Sequence, residues 1–187
     1  MTVVPAPEGT RALVVGGTAW HVVAADVDPA WVRDAVGEDR LTTPLGARFL
    51  AALADRVGAE PGVLDAVLVA PPAPAGPALE LAHAEVDHPR LRRALLHRRD
   101  VRVWATPDRA GLLVLGRGVA GRWEVAVEVE PAARGRGLGT ALAAAAPALV
   151  PDGERLWAQV APANTASLRA FLGAGWRPVA AEVLFGP

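Results

Sequence analysis

Residues 127–140, Val-Glu-Val-Glu-Pro-Ala-Ala-Arg-Gly-Arg-Gly-Leu-Gly-Thr, constrain the fold more than any other stretch. They run an alternating apolar strand into a turn with glycines at 135, 137 and 139, then into an apolar helix. Glycines at alternate positions let successive backbone N–H groups converge on one point without interference from a Cβ. The helix start beyond them adds N–H groups with no intrahelical partner and the positive end of the helix dipole. Together these predict an anion site suited to a phosphate or pyrophosphate. A tight strand-to-helix turn without a ligand is the alternative. A P-loop is excluded, because the chain has no Lys. A dinucleotide fingerprint fits poorly, since the third glycine comes one residue early and an antiparallel meander precedes it.

The stretches around the loop set its context. Residues 101–106, 112–115 and 122–129 read as three strands, the last with Trp123, Val125, Val127 and Val129 on one face and Glu124 and Glu128 on the other. After the loop come a helix near 138–149, a strand at 155–160, a helix at 165–172 and a last strand at 178–185. Upstream, strands are expected at 11–15, 20–25, 63–70 and 79–86. Helices are expected at 28–36, 45–57 and 89–99, the first capped by Asp28. The segment 71–77, with four prolines, reads as a loop or linker.

The loop resembles the pyrophosphate loop of the GNAT superfamily of acyl-CoA-dependent N-acyltransferases, Arg/Gln-x-x-Gly-x-Gly/Ala, through Arg134, Gly137 and Gly139. The family's preceding Val-x-Pro is matched by Val129, Glu130 and Pro131. About thirty residues on, Asn164, Ser167, Phe171 and Gly175-Trp176 resemble its second signature. The resemblance covers residues 100–186. It implies an α/β fold: a GNAT-type mixed twisted sheet with splayed central strands, flanked by helices, with an elaborated N-terminal half. A single domain over residues 1–187 is expected, with 1–99 a variable acceptor-side half and 100–187 the acyl-CoA-binding half.

The resemblance also implies site roles. The pantetheine arm of acetyl-CoA, or of another acyl-CoA, would pair with the backbone at Val127 and Val129. The amides of Gly135, Arg136, Gly137, Leu138, Gly139 and Thr140 would hold its pyrophosphate, with Arg134, which opens the motif, also on the cofactor side. Asn164, Ser167 and Phe171 would complete the cofactor side. Asn164 is the chain's one Asn and suits a helix cap equally well. The implied reaction is attack of an amine, on a small molecule or a protein, on the thioester. The ammonium must first lose a proton, which near pH 7 costs about 4–5 kcal/mol for an alkyl amine, so the site needs a base. Candidates are Glu128 and Glu130, with Glu124 on the same face. His88 and His97 are further candidates, and Gln159 could orient a water. The family's frequent general acid is a Tyr at the position of Phe171, and this chain has no Tyr. The thiolate then leaves unassisted, or the reaction differs from acetyl transfer, or catalysis is lost. Two other readings share the fold: a non-catalytic acyl-CoA-binding regulatory module, and a CoA-thioester hydrolase or decarboxylase.

Composition bears on partners. A formal net charge of −1 excludes a globally basic nucleic-acid binder. Six arginines within 90–102 form a local cluster, expected to be a solvated helix face balanced by Asp87 and Asp100. No Cys is present, so no thiolate metal site can form. His83 and His88 are poorly spaced for a helix-borne site, and no metal is expected. The N-terminus shows no signal-peptide pattern and no apolar run reaches membrane length, so a cytoplasmic protein without a membrane partner is expected. The six tryptophans read as packing residues. The Val/Leu-rich stretch 179–185 is expected as an exposed edge that could build a homodimer.

Overall fold

The computed structural model of the protein describes residues 1–73 and 79–186. Residues 74–77 of the proline-rich segment lie outside them. In chain order the first elements are β1 (Thr2–Val4), β2 (Ala12–Gly17), β3 (Trp20–Ala25), α1 (Pro29–Val36), α2 (Ala47–Val57), β4 (Asp65–Val69) and β5 (Ala82–His83). They are followed by α3 (Pro89–His97), β6 (Arg99–Ala105), β7 (Gly111–Arg117) and β8 (Trp123–Val129). The last are α4 (Leu138–Ala145), β9 (Leu156–Val160), α5 (Thr165–Gly173) and β10 (Arg177–Phe185). The chain forms two compact units, Met1–Val67 with Val179–Pro187, and Leu68–Pro178.

In the first unit β3 pairs antiparallel with β2 and parallel with β1, and β2 pairs antiparallel with β10 from Ala181↔Gly16 to Phe185↔Ala12. Asp28 caps α1 by accepting the Ala30 N–H at 2.8 Å, and Pro29 starts the helix where its missing N–H costs nothing. Gly58, in the left-handed region at φ 66°, ends α2. Val32, Val36, Phe49 and Leu53 from the two helices pack with Val14, Val23, Val183 and Phe185 from the strands. The helix expected from residue 45 begins at Ala47, because Pro44 sits in a short 3-10 turn and Gly46 is extended. β1, three residues long and followed by Pro5, carries too little alternation to be read in advance.

Two other expectations fail in this unit. β10 is not an open edge: β2 holds one side, and on the other Gly62 donates its N–H to the Leu184 carbonyl at 2.7 Å while Pro61 bridges to Phe185. A homodimer built on that strand therefore lacks free backbone groups to use. Trp20 does not pack inside; it stands 46% exposed at the start of β3.

The second unit is built on the antiparallel meander β6–β7–β8, to which β9 adds in parallel after the α4 crossover. Leu113, Leu115, Trp123 and Val125 face one way, packing with Leu142 and Ala143 of α4, Phe171 of α5 and Trp176. Val103, Ala105, Leu112 and Val114 face the other, under Ala94 of α3. Trp176 donates its Nε1–H to the Ala143 carbonyl at 2.9 Å, and the Phe171 ring meets its edge at 4.8 Å between centroids. α4 gives way to a 3-10 turn at Ala146–Leu149, where Pro147 cannot continue the α-helical ladder. Only Ala82 and His83 of the expected strand 79–86 pair with β6.

The arginine cluster is a solvated face in part: Arg92, Arg93, Arg99 and Arg102 are exposed and Arg92 pairs with Asp87 as expected, but Arg90 and Arg98 turn to glutamates of β8. Arg98 is largely buried and donates from Nε to Glu124 at 3.1 Å, and Arg122 donates from Nε to the same carboxylate at 2.9 Å. Burial pulls the Arg98 guanidinium below its ordinary range, against the attraction of Glu124. The Val119 N–H adds a third donor to Glu124 at 3.3 Å. Gly118 leaves room for that carboxylate: a Cβ there would stand 2.2 Å from a Glu124 oxygen. Removing one member of a buried pair strands the other charge, at about 3–5 kcal/mol. Glu124→Ala is therefore expected to lower stability by that order, and Gly118→Ala by a smaller amount as the carboxylate is pushed off its donors. Urea midpoints of both variants against wild type check this.

Candidate active site

The ladder between β8 and β9 is short. Trp123 pairs with Leu156 and Glu124 with Trp157, and beyond Glu124 no β8 residue pairs with β9. On its other side β8 pairs with β7 over its whole length, Gly111↔Val129 to Arg117↔Trp123. Glu130 donates its N–H to the Ala110 carbonyl at 2.9 Å, which fixes the phase of that ladder. Even-numbered β8 residues exchange hydrogen bonds with β7, so the odd ones turn their N–H and C=O to the edge where β9 has parted. Val127 and Val129 thus present backbone groups to a fork between two strands.

The glycine loop closes the end of that fork. Gly135 and Gly137 take φ 75° and 85°, in the left-handed region that favours glycine. Gly137 is the N-cap of α4, no side chain caps the helix, and no acidic residue occupies its first turn. The first helical bond runs from Ala141 to the Gly137 carbonyl, so the N–H groups of Leu138, Gly139 and Thr140 point out of the helix start. Arg136 stands exposed beside them with no ion pair among the described residues. Gly139 faces α5: a Cβ there would make an ordinary contact, 3.5 Å from that of Ala170. At the start of α5, Asn164 accepts the Ser167 N–H through Oδ1 at 3.1 Å. That use of the oxygen leaves its amide NH₂ as an outward donor pair. Phe171 is 4% exposed and belongs to the core under α5.

Glu128 and Glu130 meet in a cavity of about 320 Å³ on the face of β8 that looks toward α3. Glu85, Asp87, His88 and Arg109 line it as well. Glu128 is held from two sides. Arg90 of α3 donates from Nε to one oxygen, and Arg134 of the glycine loop donates to the other at 3.0 Å. The Arg134 Nε also donates to the Val129 carbonyl at 2.9 Å. Partial burial pushes the Glu128 carboxyl up, but the guanidiniums of Arg90 and Arg134 outweigh it and hold it below the usual carboxylate range. Glu130 is exposed and forms no ion pair among the described residues. His88 caps α3 by accepting the Arg90 N–H at Nδ1, 3.1 Å away, so its neutral ring carries the proton on Nε2.

Glu128, Glu130, Val127, Val129 and the loop 134–140 therefore share one neighbourhood. Glu124 is taken up by its arginines and does not line the cavity. His97, at the end of α3, and Gln159, on β9, do not line it either. Sequence reading alone does not assign the Arg90–Glu128 pair, which joins residues 38 apart. The charge pattern carries a hint, arginines on one predicted helix and alternating glutamates on one strand, but no register between them.

A parallel strand pair that parts beside a glycine-bent helix start is the splayed α/β arrangement that the resemblance implied. Residues 87–176 match the family model described as acetyltransferase (GNAT) family. Over that segment the chain is similar to the GNAT acetyltransferases, a family whose chemistry is acyl transfer. It is similar in fold to an acetyltransferase from the GNAT family from Colwellia psychrerythraea, with a TM-score of 0.52 and 9% identity over 89% of this chain and 76% of that one. A GCN5-related N-acetyltransferase from Kribbella flavida aligns with a TM-score of 0.45 and 20% identity over 74% of this chain and 63% of that one. An acetyltransferase of the family from Novosphingobium aromaticivorans aligns at 0.46 and 16% identity, over 67% and 64%. No curated protein matches the sequence. No described helix is long and apolar enough to cross a membrane.

The paired Glu128 has a pH signature. A carboxyl whose folded pKa lies below its unfolded value stabilises the fold above the unfolded pKa and loses that contribution as pH falls through the folded one. The stability difference between wild type and Glu128→Gln is therefore expected to be largest near pH 7. It should shrink below the ordinary value of 4.5. Urea midpoints of the two proteins from pH 7 down to pH 3 measure it.

Proposed function

We propose that the protein transfers an acetyl group from acetyl-CoA to an amine by direct attack on the thioester. The observation that carries this reading is the fork. Val127 and Val129 turn backbone donors and acceptors to an edge that β9 has left, and that edge ends at uncapped amides of α4. An extended pantetheine arm pairs with such an edge as an added strand does. Its pyrophosphate suits the N–H groups of residues 138–140 and the Arg136 guanidinium. The outward amide of Asn164 is a further donor toward the arm. Arg134 must release the Val129 carbonyl for the pairing to extend that far.

The cavity beside Glu128 is the acceptor side in this reading. Its carboxylates attract an ammonium group, which must lose a proton before its nitrogen can attack. Glu128, held by two guanidiniums, is a weak base and serves to orient the ammonium. Glu130, with no ion pair among the described residues, takes the proton directly or through water. The amine nitrogen bonds to the thioester carbonyl carbon, the C–S bond breaks, and the thiolate departs without an acid, its thiol pKa being only about 8.5. An N–H on the open edge of β8 donates to the oxyanion. With Phe171 in the core, no side-chain acid from that position is invoked.

Calorimetric titration of acetyl-CoA tests the donor half. Wild type is expected to bind at micromolar concentration. Gly137→Glu is expected to weaken binding at least tenfold, because it strains a left-handed position and sets a carboxylate against the phosphates. The absence of wild-type binding would reduce the loop to a structural turn. CoA release that rises with added amine supports transfer. Release without amine supports hydrolysis, and binding without release supports a regulatory module.

A further inference from the structure

Not every charge around the acceptor cavity is paired with another. Asp87 pairs with Arg92 at 3.0 Å. Glu128 pairs with Arg90 and Arg134. With these satisfied, Glu85, Glu130 and Arg109 line the cavity and form no ion pair among the described residues.

Arg109 is the unexpected member. It sits on the β6–β7 turn at φ 56°, in the left-handed region that a residue with a Cβ seldom occupies. Its turn is held by its neighbours: Thr106 donates from Oγ1 to Asp108 at 2.7 Å, the Ala110 N–H donates to Asp108 at 3.0 Å, and the Gly111 N–H donates to the Thr106 hydroxyl at 2.9 Å. The nearest carboxylate in sequence is thus spent on the turn rather than on Arg109. Its low pKa has the same cause, the Thr106 hydroxyl and then the Ala110 N–H. The Glu130 N–H, donated to the Ala110 carbonyl, holds the backbone of Glu130 beside the turn that carries Arg109, and both side chains line the cavity. Val86, Ala105 and Leu112 give that space an apolar wall.

We propose that the acceptor is a zwitterion, an amine carrying a nearby carboxylate, as in a free α-amino acid. Arg109 binds the carboxylate through its planar, multi-donor guanidinium, Glu130 and Glu85 receive the ammonium, and the apolar wall receives the side chain. This rests on the reading of the cavity as the acceptor side. A simple polyamine would leave Arg109 facing a cation, and an acceptor without a carboxylate would leave it unused.

The test uses the proteinogenic L-amino acids, each beside its carboxamide, which keeps the amine and the side chain but removes the anion. Binding to the full chain is read by saturation-transfer NMR, with and without saturating CoA. Acetyl transfer is read by thiol release. At least one amino acid is expected to bind tenfold or more tightly than its carboxamide. Arg109→Asn, which tolerates the left-handed turn, is expected to erase that difference. Its acetyl-CoA affinity and melting temperature should match wild type, and Arg109→Lys should restore part of the preference. Equal binding of acids and carboxamides, or binding of neither, overturns the proposal even where acetyl-CoA binds normally. Failure of acetyl-CoA to bind wild type overturns the transferase reading instead, while the CoA-free spectra still decide the zwitterion site.

Discussion

The site depends on where the β8–β9 ladder stops. Two residue pairs hold the strands together, and both lie at the Trp123–Glu124 end. Glu124, the last paired residue of β8, is buried under Arg98 and Arg122. A carboxylate taken from water with both guanidiniums supplied fixes the backbone at that point. Beyond it the strand loses its partner on one edge and becomes partly exposed from Ala126 to Val129. Backbone groups left unpaired at a protein surface must bond to water or to a ligand, and this edge leads directly to a helix start whose amides are also free.

Glu128 joins the two halves of the site. Its carboxylate lines the cavity on the α3 face, while the Arg134 that holds it belongs to the loop at the end of the fork. Arg134 in turn bonds the Val129 carbonyl, one of the groups facing the fork. One side chain thus touches the strand edge, the glycine loop and the acidic cavity. Movement of that guanidinium would alter the charge around Glu128 and the accessibility of the Val129 carbonyl together. Another part of the cavity lining is set by different means: the hydrogen-bonded turn at Thr106–Gly111 carries Arg109.

The legible part of the protein was its local chemistry. The alternation of β8, the left-handed glycines at 135 and 137, the Asp28 cap and the Asn164 cap all follow from neighbours within a few residues. The fork itself was legible only through resemblance to a family, since no single stretch of sequence says where two parallel strands part. Trp20 and the edges of β10 were misread for a common reason. Whether an apolar residue is covered, or a strand edge is filled, depends on segments far away in the chain. Arg90 and Arg98 show the same limit: their partners Glu128 and Glu124 lie on β8 and could not be assigned from composition.

The sequence by itself determined a strand–loop–helix unit with a glycine-bent loop at an uncapped helix start and the glutamates on one face of its strand. Short-range sterics decide those features: glycine where φ is positive, alternation along a strand, and a side-chain oxygen at a helix start. Only the tertiary structure decided which glutamates do what. It buried Glu124 beneath Arg98 and Arg122, tied Glu128 to Arg90 and Arg134, and left Glu130 beside Arg109 at the open cavity. The physical reason is that a carboxylate's chemistry is set by its desolvation and by the cations within reach, and both are fixed by packing between distant segments.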